Sequence, residues 1–375
     1  MRRLYVIYRL LPSLVFIFMV FFPFAANLFF SNTELLDNRP LNEKPKKFGR
    51  DFSRAYEAYY NDTFAGRKKL VTKYIKLQQA LKIDTGQYFY GEDGWMFYDS
   101  IKVNNGNTMV DYYGEVRFSD EELKEMAEGI NAAADFYAKH GAQYVIMVAP
   151  NKEGLYSEFM PARMQKARVS EQSRADVAID YLKKHTKVKI INLKQPLLEA
   201  KEKFPYRLYF KKDTHWNNIG AYLGFEQVAK GLNEMGMSVP EQKLTEAMIT
   251  PAGKRHVDMH PEAMEIDYHI AYLSAAESEC AADEGEKFVY VCKNKGKANG
   301  QKIMVLGDSF AAAVMPFMNK AFQETVNAGA GNKKRSYYEN LLTKHRPNVV
   351  MDELIERYFS RYANYQRIFS GYYDD

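Results

Sequence analysis

Three short runs, QYVIMVAP at 143–150, KIMVLGDSF at 302–310 and NVVMDEL at 348–354, constrain this chain most, because each is apolar with almost no alternation. A strand with one wet face carries polar residues at every second position, whereas a strand covered on both faces does not. Such strands belong in a parallel sheet with helices above and below it. The intervening segments supply the helices. Ser119 and Glu122 form a capping box ahead of Leu123, Met126, Ile130, Ala134 and Tyr137, whose spacing is helical, and Gly141 ends the run. Further helices are expected at about 170–185, around Leu197 behind Pro196, through GAYLGFEQVAKGLNEMG, up to about Phe322, and over SYYENLLTKH. Strands are expected at KVKIIN and TVNAG, and GEDGWMFYDS reads as a turn with a short aromatic strand. The order predicts an α/β fold, a three-layer α/β/α sandwich around a mostly parallel sheet. The polar, aperiodic stretch at about 237–300 is expected as an insertion of loops and short strands.

The first thirty residues follow a different rule. Arg2, Arg3 and Arg9 precede an uncharged run from Leu10 to Phe30, and about 20 apolar residues suffice to span a bilayer. The basic flank predicts a cytoplasmic N-terminus. The expected organisation is a signal anchor at 1–31, a polar linker at 32–50 and an extracytoplasmic domain at 51–375. A cleaved signal peptide is the other reading, and it also puts the remaining chain outside the cytoplasm. The linker's Lys44, Lys46, Lys47 and Arg50 suit a solvated spacer, the other reading being contact with anionic lipid or polymer. From Asp51 the spacing of Phe52, Tyr56, Tyr59, Tyr60, Phe64, Leu70, Tyr74 and Leu77 is helical again. A net charge of +5 without an arginine-rich helix gives no case for nucleic acid. Cys280 and Cys292 can bridge in an oxidising compartment, or remain two thiols.

The chemistry concentrates in two places. The strand IMVL ends in Gly307-Asp308-Ser309 and runs straight into a helix, so Ser309 stands where open α/β sheets place ligands. Its own N–H and the helix dipole suit an oxyanion, although a serine before a helix is also an ordinary N-cap. A serine nucleophile needs a base, and the base needs an orienting carboxylate. Asp213 and His215, in KKDTHWNNIGAY, supply both from one face of an extended segment that opens a helix. His256 and His260 share a spacing used for metals, but Pro261 breaks any helix there, so neither a metal nor another cofactor is expected.

GDSF, DTHWN and APNKEGLY resemble the motifs of SGNH/GDSL-like proteins of the DHHW type, which include the alginate O-acetyltransferases. YYNDTFAGR, GEDGWMFY and RPNVVMDELIERYF extend the resemblance from about Glu57 to Phe359, apart from the insertion. The resemblance implies Ser309 as nucleophile, His215 as base and Asp213 as orienting acid. It also implies Trp216 and Lys152 as substrate contacts, though the bare sequence reads Trp216 equally well as a buried anchor. The GxND motif of ordinary SGNH enzymes is missing, so Asn151, Asn332 and Arg357 are candidates for the oxyanion donor. Arg357 alternatively pairs with Glu353 or Glu356. The implied activity is membrane-anchored O-acetylation of hydroxyls on a secreted or cell-envelope polysaccharide, through an acyl-serine. Because acetyl-CoA is confined to the cytoplasm, a multispanning membrane O-acyltransferase is the implied source of acetyl groups. A carbohydrate esterase with the same triad and a non-catalytic polysaccharide-binding accessory protein remain open.

Overall fold

The computed structural model describes residues 2–27, 29–30, 41–81, 83, 86–100, 106–257, 260–273, 276–296, 300–329 and 333–370. Asn332 and residues 31–40 of the expected linker lie outside the described residues. The chain divides into two compact units, one of residues 1–83 with 256–263 and the other of 84–255 with 264–375.

The first unit is helical. Its N-terminal helix, Arg2–Asn27, is long and apolar enough over Leu10–Asn27 to cross a membrane. Two further helices follow, Phe52–Thr63 and Arg67–Ala80. Asp62 is buried and accepts from the backbone N–H and the side-chain amide of Asn42, at 2.9 and 2.7 Å.

The second unit holds the sheet. In chain order its strands are β1 (Tyr88–Tyr90), β2 (Met96–Tyr98), β3 (Gln143–Ala149) and β4 (Lys189–Asn192). Then come β5 (Ile249–Val257) and β6 (His260–Ile270), of which residues 256–257 and 260–263 belong to the first unit, followed by β7 (Ser278–Ala282), β8 (Tyr290–Asn294), β9 (Lys302–Gly307), β10 (Glu324–Gly329) and β11 (Val349–Ile355). Seven of these form one sheet in the order β4-β3-β11-β9-β10-β8-β7. The first five run parallel, and β8 and β7 continue the sheet antiparallel.

Alternate residues of the central strands enter two separate cores. Val145, Met147, Ile303, Val305, Val349 and Met351 pack with Tyr222, Phe225 and Phe317, on the helices Asn218–Glu234 and Ala311–Ala321. Ile146, Val148, Met304, Leu306, Val350 and Leu354 pack with Ile130, Ile179 and Leu341, on Asp120–Lys139, Arg174–His185 and Arg335–His345. The three-layer α/β/α expectation therefore holds, and the absence of alternation in the strands follows from having a core on each side. The capping box of Ser119 and Glu122 is formed, and a second, Ser173 with Asp176, starts Arg174–His185.

The polar stretch at 237–300 contributes more than loops. β7 and β8 lengthen the main sheet, and the pair Cys280–Cys292 is directly opposite in register and disulfide-bonded. Every residue of β7 after Ser278 is exposed, so this edge strand leaves no apolar signature in the sequence.

Candidate active site

Ser309 owes its position to a turn that only glycine permits. A Cβ on Gly307 would stand 2.2 Å from the Ala311 methyl and 3.1 Å from Glu353 Oε2. The chain leaves β9 there, turns through Asp308-Ser309-Phe310, and enters the helix Ala311–Ala321. The N-cap position is Phe310 and Ser309 accepts no bond from the helix, so the alternative role of Ser309 as a cap is not realised.

Carboxylates fix this turn. Glu353, fully buried on β11, accepts from the N–H groups of Asp308 and Ala311 through one oxygen, at 3.0 and 3.1 Å. Asp308 accepts from the Phe310 N–H at 2.8 Å and, through its other oxygen, from the Ile355 N–H at 2.8 Å. The amides on either side of Ser309 are thus spoken for. Its own N–H has no acceptor among the described residues and is free to donate to a reacting oxygen. Burial first, and then the charge of Asp308, push the Glu353 carboxyl well above the usual range.

The partners come from a tight loop before the helix Asn218–Glu234. Tyr209 and Trp216 bridge across it, and the Asn217 side chain caps the helix by accepting from Ile219 and Gly220. Gly220 lets the helix approach this loop, since a Cβ there would lie 2.3 Å from the Leu208 carbonyl oxygen. Asp213 is buried, and one of its oxygens accepts from the backbone N–H of His215 at 3.0 Å and from Nδ1 at 2.7 Å. With Nδ1 donating, Nε2 is left as an acceptor, and it lies 2.7 Å from Ser309 Oγ. Asp213, His215 and Ser309 therefore form one continuous line, with Ser309 at its exposed end.

The remaining candidates separate. Trp216 is buried and donates to the Phe310 carbonyl at 3.1 Å, which ties the histidine loop to the serine turn and leaves no face for a sugar. Lys152, expected to touch substrate, is instead buried beneath the same loop. Its ammonium donates to the carbonyls of Phe210, Lys211 and Asp213 at 3.0, 3.0 and 2.7 Å, and burial pushes its pKa down to about 8. Asn151 is buried too, and directs its amide at Asp111 while its backbone N–H donates to Glu356. Burial and the nearby Glu356 raise Asp111 to about 7. Arg357 pairs with neither Glu353 nor Glu356. Its guanidinium lies over the rings of Tyr358, Tyr98 and Phe310, at 4.9, 5.3 and 5.9 Å, and its buried Nε has no hydrogen-bond partner among the described residues. His256 is exposed on β5, and no group of three His, Cys, Asp or Glu side chains that could hold a metal occurs among the described residues.

Glu353 was not singled out from sequence as a support of the turn. An acid inside the apolar run NVVMDEL is the signal that points to it, since a carboxyl in a strand with two covered faces needs buried donors.

A parallel sheet with a helix layer on each face, and a GDS turn at the carboxyl end of one of its strands, is the arrangement of SGNH hydrolase-like proteins. The chain belongs to the SGNH hydrolase-like domain family of the acetyltransferase AlgX, whose family model matches residues 89–354. Three solved structures are similar in fold. PatB1 of Bacillus cereus is 18% identical over 72% of this chain and 96% of its own, with a TM-score of 0.50. AlgX of Pseudomonas aeruginosa is 15% identical over 78% of this chain and 69% of its own, also at 0.50. A DHHW family protein of Eubacterium siraeum is 14% identical over 76% and 96%, at 0.49. No curated protein matches the sequence. The apolar N-terminal helix and the Cys280–Cys292 disulfide together suggest an extracytoplasmic location.

Proposed function

We propose that this SGNH-type acetyltransferase domain transfers acetyl groups to hydroxyls of a secreted or cell-envelope polysaccharide through an acetyl-serine at Ser309. The observation that carries this reading is the unbroken line from buried Asp213 through His215 to exposed Ser309, in a chain whose family is one of acetyltransferases. His215 Nε2 takes the proton from Ser309 Oγ as the oxygen attacks the acetyl carbonyl. The Ser309 N–H stabilises the oxyanion, and Arg357, whose guanidinium lies over the neighbouring Phe310 ring, is the candidate second donor. The imidazolium returns its proton to the departing donor group, leaving acetyl-serine and neutral His215. A sugar hydroxyl then gives its proton to Nε2, attacks the ester carbonyl, and leaves as acetylated sugar while Ser309 regains its hydrogen.

The acetyl donor is handed across the membrane by a multispanning O-acyltransferase, and the N-terminal helix holds the domain beside it. The test offers the purified chain an activated acetyl ester with and without oligosaccharide. Acetylated sugar is the expected product, whereas acetate alone in both reactions would make the protein an esterase. Ser309→Ala is expected to lower turnover by roughly three orders of magnitude or more with an unchanged melting temperature. Undiminished turnover would refute the assignment of the nucleophile.

A further inference from the structure

The helix Arg67–Ala80 carries a face that none of the described residues of its own unit covers. Leu70, Tyr74, Leu77 and Leu81 recur at i, i+4, i+7 and i+11, so they stand one above another along a single line, and each is more than half exposed. Leu81 continues the line because its N–H still bonds the Leu77 carbonyl at 3.0 Å. The inward side is a different one, where Thr72 and Gln78 are buried and Val71 and Ile75 half-buried. The outward stripe is therefore not a core face left uncovered by poor packing. It is a second apolar face.

Its surroundings identify what covers it. Between Phe64 and Ile83 the charged residues are Arg67, Lys68, Lys69, Lys73, Lys76 and Lys82, and none is acidic. Exposed Lys69 and Lys73 border the stripe on one side and half-buried Arg67 on the other. A narrow aliphatic line with one tyrosine, bordered by long cationic side chains, matches an interface where acyl chains lie beneath anionic headgroups. The apolar side chains enter the boundary, and the lysine stems reach back to the phosphates. The segment also follows, in the same chain, the only described helix apolar enough to span a bilayer.

We propose that Arg67–Ala80 is a surface-lying membrane helix that sets Leu70, Tyr74, Leu77 and Leu81 into an anionic phospholipid leaflet. This rests on the reading of the N-terminal helix as an anchor and adds a second, in-plane attachment. A single span leaves a domain free to swing about its tether, whereas a span plus a helix lying in the plane fixes which part of the polypeptide stays at the surface.

The test uses the full chain carrying Tyr74→Trp, reconstituted in vesicles of phosphatidylcholine alone or mixed with phosphatidylglycerol, each with and without brominated acyl chains. The native Trp95 and Trp216 are buried and provide the background measured on the unsubstituted chain. Flotation with the vesicles reports the span, and bromine quenching of the introduced tryptophan reports the helix. Strong quenching in the anionic vesicles is expected. Each of Lys69→Gln and Lys73→Gln should weaken the surface-bound population about five-fold. A chain that floats while the tryptophan stays open to aqueous acrylamide and untouched by bromine overturns this inference alone. Shielding of the tryptophan from both quenchers overturns it as well, because protein then covers the stripe. A chain that does not float overturns the anchor and this inference together. Leu77→Trp repeats the measurement one turn along, in case substitution at Tyr74 disturbs its bond from Gln78.

Discussion

Glu353 and Lys152 do comparable work on opposite sides of the candidate site, one holding N–H groups and the other carbonyls. Glu353 is expected to tolerate Gln, because burial favours the neutral form of its carboxyl and the amide oxygen can accept the same two N–H groups. Glu353→Ala should cost about 2–4 kcal/mol by orphaning buried donors. It should also lower kcat for an acetyl ester with little change in KM, since Ser309 N–H loses its fixed direction. A kcat per folded molecule equal to wild type would reduce Glu353 to a packing role. Lys152 yields a pH prediction with opposite signs for rate and stability. Its ordinary value is 10.5 and its folded value about 8. Between those two pH values the unfolded chain holds a proton that the folded chain has released, so this group's contribution to stability rises with pH across that window. The neutral amine, however, has one donor too few for three carbonyls, so turnover should fall above about pH 8. Comparing rate and melting profiles with those of Lys152→Met, which cannot titrate, isolates the effect. An identical alkaline limb in both proteins would exclude Lys152 as its source. That Ser309, His215 and Asp213 could meet was legible because the Asp-x-His pair and the strand-turn-serine are each local patterns at the rim of the sheet, and the structure brings the three together. Lys152 was read from sequence only as a substrate contact, since burial under carbonyls some sixty positions along is a property of the folded chain alone.

At the scale of elements, legibility followed burial on both faces. β3, β9 and β11 announced themselves because the two cores leave them no polar side. β7 and β8 did not, because a sheet edge meets solvent and its residues resemble a loop. What the edge lacks in apolar contact the disulfide supplies, by joining two strands twelve positions apart in sequence. Replacing both Cys280 and Cys292 with Ser should lower stability by about 2–3 kcal/mol, the loop entropy that the bridge removes from the unfolded chain. Below the melting transition, acetyl-ester turnover should persist, because β10 and β8 stand between this edge strand and β9. A melt with and without reductant measures the first expectation. A large loss of turnover in the folded variant would contradict the second. The tie from Trp216 to the Phe310 carbonyl is the element-level link that matters more, because it joins the two loops that meet at the site.

For the molecule as a whole, the alternation of strands and helices told the number of layers but not the order of strands within the sheet. Order depends on which strands meet after long crossovers, and pairings so distant in sequence leave no local trace. In the structure, β11 is the last strand of the described chain, yet it lies between β3 and β9 and pairs with both. Ending the chain at residue 345 should therefore abolish protection of the entire sheet, rather than trim one edge. Hydrogen exchange would show this as fast exchange in β3 and β9 alike, and a protected β3 would count against it. The position of β11 also sets a schedule. If the segment after the N-terminal helix is threaded across a membrane in chain order, β3 arrives long before the strand that must sit beside it, and the sheet would stay open at its middle until the end of transit. Until then its apolar strands need a holdase or a delay. Ser309 would also lack its support from Glu353 over that time, which would keep the proposed acyl chemistry off until such a transit ended.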